Sequence, residues 1–278
     1  MKKTTGRFPL CIQTALPQDY RENHSFISDL SVLRELGFYG VELNIADPGQ
    51  ADFADIREFL GQYDLRFTNF ATGITAKRHE LSLSSTDSSV HQRSILQCKD
   101  IIDRVCGSVE GIIVGFMKGP AVNDADEARK RFTDALAAIA PHAQANRVRV
   151  LVEATNRYES SVANGLEETA RLIRELNNPF VRLLPDTFHM NIEESDGPGA
   201  LETCAGLYDS VHVSDNNRYF PGFGAFRFAE IITTLKDIGF EGTLGIEGNI
   251  KNSFSEDVRA SAAFLAPLVG LQAVPGQG

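Results

Sequence analysis

Short apolar runs alternate with longer segments of helical periodicity along almost the whole chain. The runs lie at 9–13, 40–44, 66–70, 111–115, 149–153, 181–185, 210–214 and 243–247. Each is about five residues rich in Val, Ile, Leu or Phe, which fits parallel strands covered on both faces better than half-exposed ones. Helical spacing fills 25–36, 51–63, 90–105, 124–144, 165–176, 225–238 and 256–269, with a further helix expected over 197–205. Phe53, Ile56 and Leu60 fall three and four apart, as do Phe132, Leu136 and Ile139. Gly37, Gly107 and Gly239 stand at or just past helix ends, where a C-cap favours glycine.

Eight strands in 278 residues give one βα unit about every 35 residues. No Pro/Gly-rich linker or composition shift divides the chain. The expectation is one α/β domain over 1–278, with 266–278 as a loose tail. Eight units favour a closed (β/α)8 TIM barrel, and an open doubly wound sheet is the alternative.

Composition narrows the choice of partners. The chain is 42% hydrophobic and 23% charged, which is globular. Its 27 basic residues against 37 acidic ones leave a net charge of −10, which disfavours phosphate backbones and anionic lipid. Neither a nucleic acid nor a membrane is therefore expected as a partner. Cys11, Cys98, Cys106 and Cys204 form no CxxC pair and read as free thiols of a reducing compartment. No run approaches the ~18 apolar residues of a membrane span, and no signal-peptide core follows Lys2 and Lys3. The expected location is cytoplasmic.

In a barrel, chemistry is expected where strands end. Those positions hold Glu42, Glu153, Asp186, His212 and Glu247. The last four come from consecutive strands, spaced by 33, 26 and 35 residues, close to one unit each. A lone carboxylate at a strand end is as often a solvated or helix-capping group. Three carboxylates and one imidazole on one rim should repel and raise one another's pKa unless a cation sits among them. An oxygen-rich set with one nitrogen suits Mn²⁺, Mg²⁺ or Co²⁺. GxSxG, HExxH, GxxxxGK[ST] and GxGxxG are all missing, and His24, His79, His91 and His142 fall on loops or helices away from this rim.

The stretches LVEATNRYE (151–159), LPDTFHMNIEE (184–194), HVSDNNRYFPGFG (212–224) and GIEG (245–248) resemble the tagatose/psicose 3-epimerase group. That group belongs to the xylose isomerase-like TIM-barrel superfamily of sugar isomerases and epimerases. The resemblance is strong over the C-terminal half and holds only in outline before it, where Gly37-Phe38 leads into Glu42. It implies that Glu153, Asp186, His212 and Glu247 hold a divalent metal, Mn²⁺ first, with Mg²⁺ or Co²⁺ as alternatives. Glu159, His189 and Arg218 then match positions that hold the oxygens of the sugar. Glu153 and Glu247 are the implied catalytic pair, exchanging a proton beside a ketose carbonyl through a metal-stabilised enediolate, with inversion at C3.

Members of such families are usually homo-oligomers, so a dimer or tetramer is implied. No phosphate cradle is visible, which favours a free sugar. An aldose–ketose isomerase, or a lyase or dehydratase on a 3-keto-sugar or keto-inositol, remains open for the same site, as does a non-enzymatic sugar-binding role. Endonuclease IV shares the superfamily, but its trinuclear zinc site needs more rim histidines than His189 and His212. Two departures bear on the substrate. Ala225-Phe226-Arg227-Phe228 stands where the family often has His and then Asp or Asn, and the chain has no Trp. Phe220, Phe223 and Phe226 are expected either to form an apolar lid or to pack their own loop.

Overall fold

Eight parallel strands alternate with helices over residues 8–270, the span described by the computed structural model. The strands are β1 (Leu10–Ala15), β2 (Gly40–Asn44), β3 (Arg66–Ala71), β4 (Gly111–Val114), β5 (Arg149–Glu153), β6 (Val181–Leu184), β7 (Ser210–Val213) and β8 (Thr243–Ile246). All lie within two residues of the apolar runs. They pair in the order β6-β5-β4-β3-β2-β1-β8-β7. The remaining seam, β6 to β7, is joined by two isolated parallel bridges, Leu183–Tyr208 and Asp186–His212. The sheet is thus a nearly closed (β/α)8 TIM barrel.

Side-chain alternation sorts the barrel into two environments. Ile12, Val41, Leu43, Val150, Val152, Val211, Val213, Leu244 and Ile246 belong to the large core shared with the surrounding helices. The intervening residues therefore point into the barrel. On one side these are Ala71, Ile113, Leu151 and Leu184, a small separate apolar cluster. On the other they are Gln13, Glu42, Asn69 and His212, so the interior there is polar.

The expected helices are present, and two short ones join them. Helices α3 (Gly73–Arg78) and α7 (Thr187–Glu193) follow β3 and β6 and are too short to carry a readable apolar stripe. Helix α9 spans Phe228–Asp237 rather than starting at 225. The cause is Asp215, whose buried carboxylate accepts from the N–H groups of Gly222, Gly224 and Phe226 and so holds 222–226 as a loop. Phe220 is buried and Phe226 packs edge-on against Phe228 at 4.9 Å, so these phenylalanines pack the loop.

The loose tail is expected over 266–278, but its first residues are helical. Ala266–Val269 form the last turn of α10 (Phe254–Val269), with Ala266 and Val269 buried, and 271–278 lie outside the described residues. Among the described residues no helix is long and apolar enough to cross a membrane.

Candidate active site

The strand-end residues converge at the C-terminal rim. Glu153 is the last residue of β5, His212 lies within β7, and Asp186 and Glu247 follow β6 and β8. One donor atom from each of the four lies within 4.8 Å of the other three. Asp186 also caps α7, its Oδ1 accepting from Phe188 N–H at 2.7 Å. Two glycines make the close approach possible. A Cβ at Gly115 would stand 2.0 Å from Glu153 Oε2, and one at Gly245 would stand 3.1 Å from the His212 ring and 3.3 Å from Glu42 Oε1.

His212 is held by a partner from the opposite side. Its Nε2 lies 2.8 Å from Glu42 Oε2, and the other oxygen of Glu42 accepts from Asn69 Nδ2 at 2.9 Å. Nδ1 faces Glu247 Oε2 at 2.7 Å and Glu153 Oε1 at 3.5 Å, and with Nε2–H committed to Glu42 it would offer a lone pair there once its own proton gives way to a cation. His212 Nδ1, Glu153 Oε1 and Glu247 Oε2 are all buried without a hydrogen-bond partner. Buried polar atoms are rarely left so, and three of them facing one another describe a binding place for a cation.

Electrostatics lead to the same conclusion. Burial, and then the neighbouring Glu247, raise the Glu153 carboxyl. Burial also opposes charge on Glu247, but Arg218 and His212 outweigh it and hold that carboxyl well below the usual range. Burial likewise opposes charge on His212, yet Glu42 and Glu247 raise its pKa well above the usual value. Such opposed shifts mark carboxylates competing for too little positive charge, which a divalent ion could supply. Three carboxylates and one imidazole fit such an ion.

The residues matched to the sugar arrive by different routes. His189 is buried, and its Nδ1 accepts from Asn156 N–H at 3.2 Å and lies 2.9 Å from Asn156 Nδ2. That leaves Nε2–H pointing into the site, 3.8 Å from Glu153 Oε1 and 4.0 Å from Asp186 Oδ2. Arg218 donates to Asp186 Oδ2 at 2.6 Å, lies 3.1 Å from Glu247 Oε2 and stacks over Phe188 at 4.9 Å. It is one of six non-glycine residues with positive φ among the described residues, at 64°, a strained backbone of the kind that persists where surrounding contacts over-determine it. Glu159 is exposed and reaches the cluster only through Asn156, whose Nδ2 donates to it at 2.9 Å.

Several supporting residues carry no readable signal in the sequence. Lys118, in the short turn after β4, is fully buried and donates to the carbonyl oxygens of Glu153 at 2.6 Å and Ala163 at 2.9 Å. Burial pushes its ammonium down to about 7 against the pull of nearby carboxylates. Asn156 is visible only as part of the NRYE stretch, and Asn69 not at all.

The family model of the xylose isomerase-like TIM barrel matches residues 30–268. An L-ribulose 3-epimerase of Mesorhizobium japonicum is 30% identical over 233 residues, covering 82% of this chain and 75% of that protein. A 3-dehydro-D-guloside 4-epimerase of Escherichia coli is 33% identical over 135 residues, about half of each chain (49% and 51%). A solved structure of L-ribulose 3-epimerase superposes with a TM-score of 0.81 at 22% identity, over 94% of both chains. These relatives are epimerases, and epimerases are isomerases by class. The chain belongs to the xylose isomerase-like TIM barrel family and is an isomerase.

Proposed function

We propose that this chain is a divalent-metal-dependent sugar epimerase, inverting the carbon beside a keto group, which is C3 where the substrate is a 2-ketose. The observation that carries this reading is the trio of buried, unpartnered donors on Glu153, His212 and Glu247, with Asp186 alongside and the His189 Nε2–H directed at the same space. The ketose 3-epimerase relatives support the reaction class.

Mn²⁺ is the ion assigned here, on the oxygen-rich donor set. Glu153, Asp186, His212 and Glu247 would hold it, and when bound there it would supply Lewis-acid polarisation of the carbonyl and charge to offset that on the neighbouring oxygens. The protein's own residues do the rest. One of Glu153 and Glu247 takes the proton from the carbon, and the other returns a proton to the opposite face, so the carbon inverts with no net change in composition. Separate strands with β6 and β7 between them carry the two, which suits work from two sides of one sugar. His189 Nε2–H and the Arg218 guanidinium donate to the carbonyl and hydroxyl oxygens. Glu159 steadies Asn156, which fixes the tautomer of His189, and takes a hydroxyl at the rim. Three buried free thiols, Cys11, Cys98 and Cys204, suit the reducing cytoplasm.

The test is a proton-NMR survey of ketoses and keto-sugars in D₂O with protein stripped by chelator and then reloaded. Deuterium entering the carbon beside the carbonyl, with a second epimer appearing only after Mn²⁺, Mg²⁺ or Co²⁺ is restored, supports the assignment. An unsaturated product or an aldose would replace it with elimination or isomerisation.

A further inference from the structure

The cleft above the cation site opens as two lobes of about 310 and 340 Å³. Three residues line both lobes: Glu247, Gln13 in β1 and Asn44 at the end of β2. Glu247 belongs to the cation site. The other two stand across the barrel from β5 and β6, the strands that lead to Glu153, Asp186 and His189. A substrate with its keto group at the cation site thus meets His189 on one side and Gln13 on the other.

Both amides are oriented by a group that can only donate. The Ile74 backbone N–H, in the first turn of α3, lies 3.2 Å from Asn44, so the atom it meets is the carbonyl oxygen Oδ1. Asn44 Nδ2 is then turned towards Gln13 and donates to its Oε1 at 2.7 Å. That leaves the Gln13 Nε2 as a donor, and no acceptor among the described residues takes its hydrogens. An amide assigned in isolation can be reversed, but one at the end of a relay that starts from a backbone N–H cannot.

We infer that Gln13 is a specificity-determining residue: its Nε2–H group donates to a hydroxyl oxygen on the part of the sugar beyond the inverted carbon, and Asn44 is the positioning residue that turns it there. This rests on the epimerase reading above. Volume decides which end of the sugar is held. In a 2-ketohexose inverted at C3, C1 alone lies on the keto side, whereas C4 to C6 lie beyond the reacting carbon and need the roomy lobes that Gln13 lines. Gln13 is only half-buried, so an analogue lacking that oxygen should lose about tenfold, an ordinary net hydrogen bond, and not the roughly 10⁴-fold of a fully enclosed donor left unpaired.

The experiment takes metal-loaded protein and measures kcat/KM for the D- and L-2-ketohexose that exchange fastest, and for the 4-, 5- and 6-deoxy forms of each. One deoxy form should be about tenfold poorer than its parent. Gln13→Leu should lower the parent by about the same factor, leave that one deoxy form nearly unchanged and keep metal affinity. Asn44→Leu frees the amide to turn, and should raise KM with kcat held, adding nothing once Gln13→Leu is present. Equal losses on the parent and every deoxy form, or no loss at all, would overturn the inference and leave the epimerase reading standing. Additive losses in the double variant would remove Asn44 from it. Exchange confined to keto-sugars of another class would overturn the inference alone, and exchange with no keto-sugar would overturn both.

Discussion

His212 is gripped from both sides, its Nε2 donating to Glu42 at 2.8 Å while its Nδ1 faces Glu247 at 2.7 Å. The first contact decides the second, because an imidazole whose Nε2 keeps the proton offers Nδ1 as a lone pair. Glu42→Gln retains an acceptor but no charge, and should weaken divalent-metal affinity about 10-fold, with Glu42→Leu nearer 100-fold, the usual range for such outer partners. Metal titration by calorimetry reads this out. Unchanged affinity in both variants would assign Glu42 to packing alone.

Elemental analysis of protein purified without chelator should find about one divalent ion per chain, and His212→Ala should lose most of it. Full activity of the wild type after EDTA treatment would remove the ion from the reaction.

The two carboxylates can be separated by isotope. With metal occupancy confirmed, Glu247→Gln should leave one epimer able to take up deuterium from D₂O while interconversion falls at least ~10²-fold, a typical general acid–base contribution. Glu153→Gln should show the opposite epimer preference. Equal loss of exchange for both epimers with metal still bound would point to one base instead of two.

Lys118 ties the backbone of Glu153 to the turn after β4 and to Ala163. Lys118→Met keeps the volume and removes both hydrogen bonds, so the protein should fold while kcat and metal affinity each fall, the latter about 10-fold as for other supporting contacts of metal sites. Thermal unfolding and metal titration on one preparation separate the two effects. A lower Tm with unaltered metal affinity would make Lys118 a structural tie only.

Asp257 governs an acid-sensitive joint at the start of α10. Burial alone would raise its carboxyl, but the N–H groups of Asn252 and Lys251 and the Asn252 amide hold it below the usual value. A carboxyl depressed in the folded state adds stability above its unfolded pKa, and that stability is lost as pH falls through the folded value. Asp257→Asn should therefore cost about 1.5–3 kcal/mol near pH 7, the worth of hydrogen bonds to a charged group. The difference should shrink as pH falls below the usual carboxylate range in urea titrations. A difference independent of pH would show that the contacts matter and the charge does not.

The strands were legible because apolar five-residue runs leave little else to form, and the cluster of Glu153, Asp186, His212 and Glu247 because the strand ends place these residues about one unit apart. What stayed hidden is set by contacts distant in sequence. Helix α7 depends on Asp186, read as a rim carboxylate and also an N-cap. The late start of α9 depends on three N–H groups finding the Asp215 carboxylate 7 to 11 residues earlier. The link from Glu159 to His189 runs through Asn156, and nothing in a string of letters says that Lys118 is buried.

Of the joints between neighbouring strands, the one from β6 to β7 has the sparsest pairing, and one of its two bridges joins Asp186 to His212. An ion shared by those side chains would rivet the weakest stave of the barrel as well as serve the reaction. Demetallation should then loosen β6 and β7 first, with amide exchange rising there while β1 to β5 stay protected, so that the enzyme's capacity to hold its metal and its capacity to stay closed fail together.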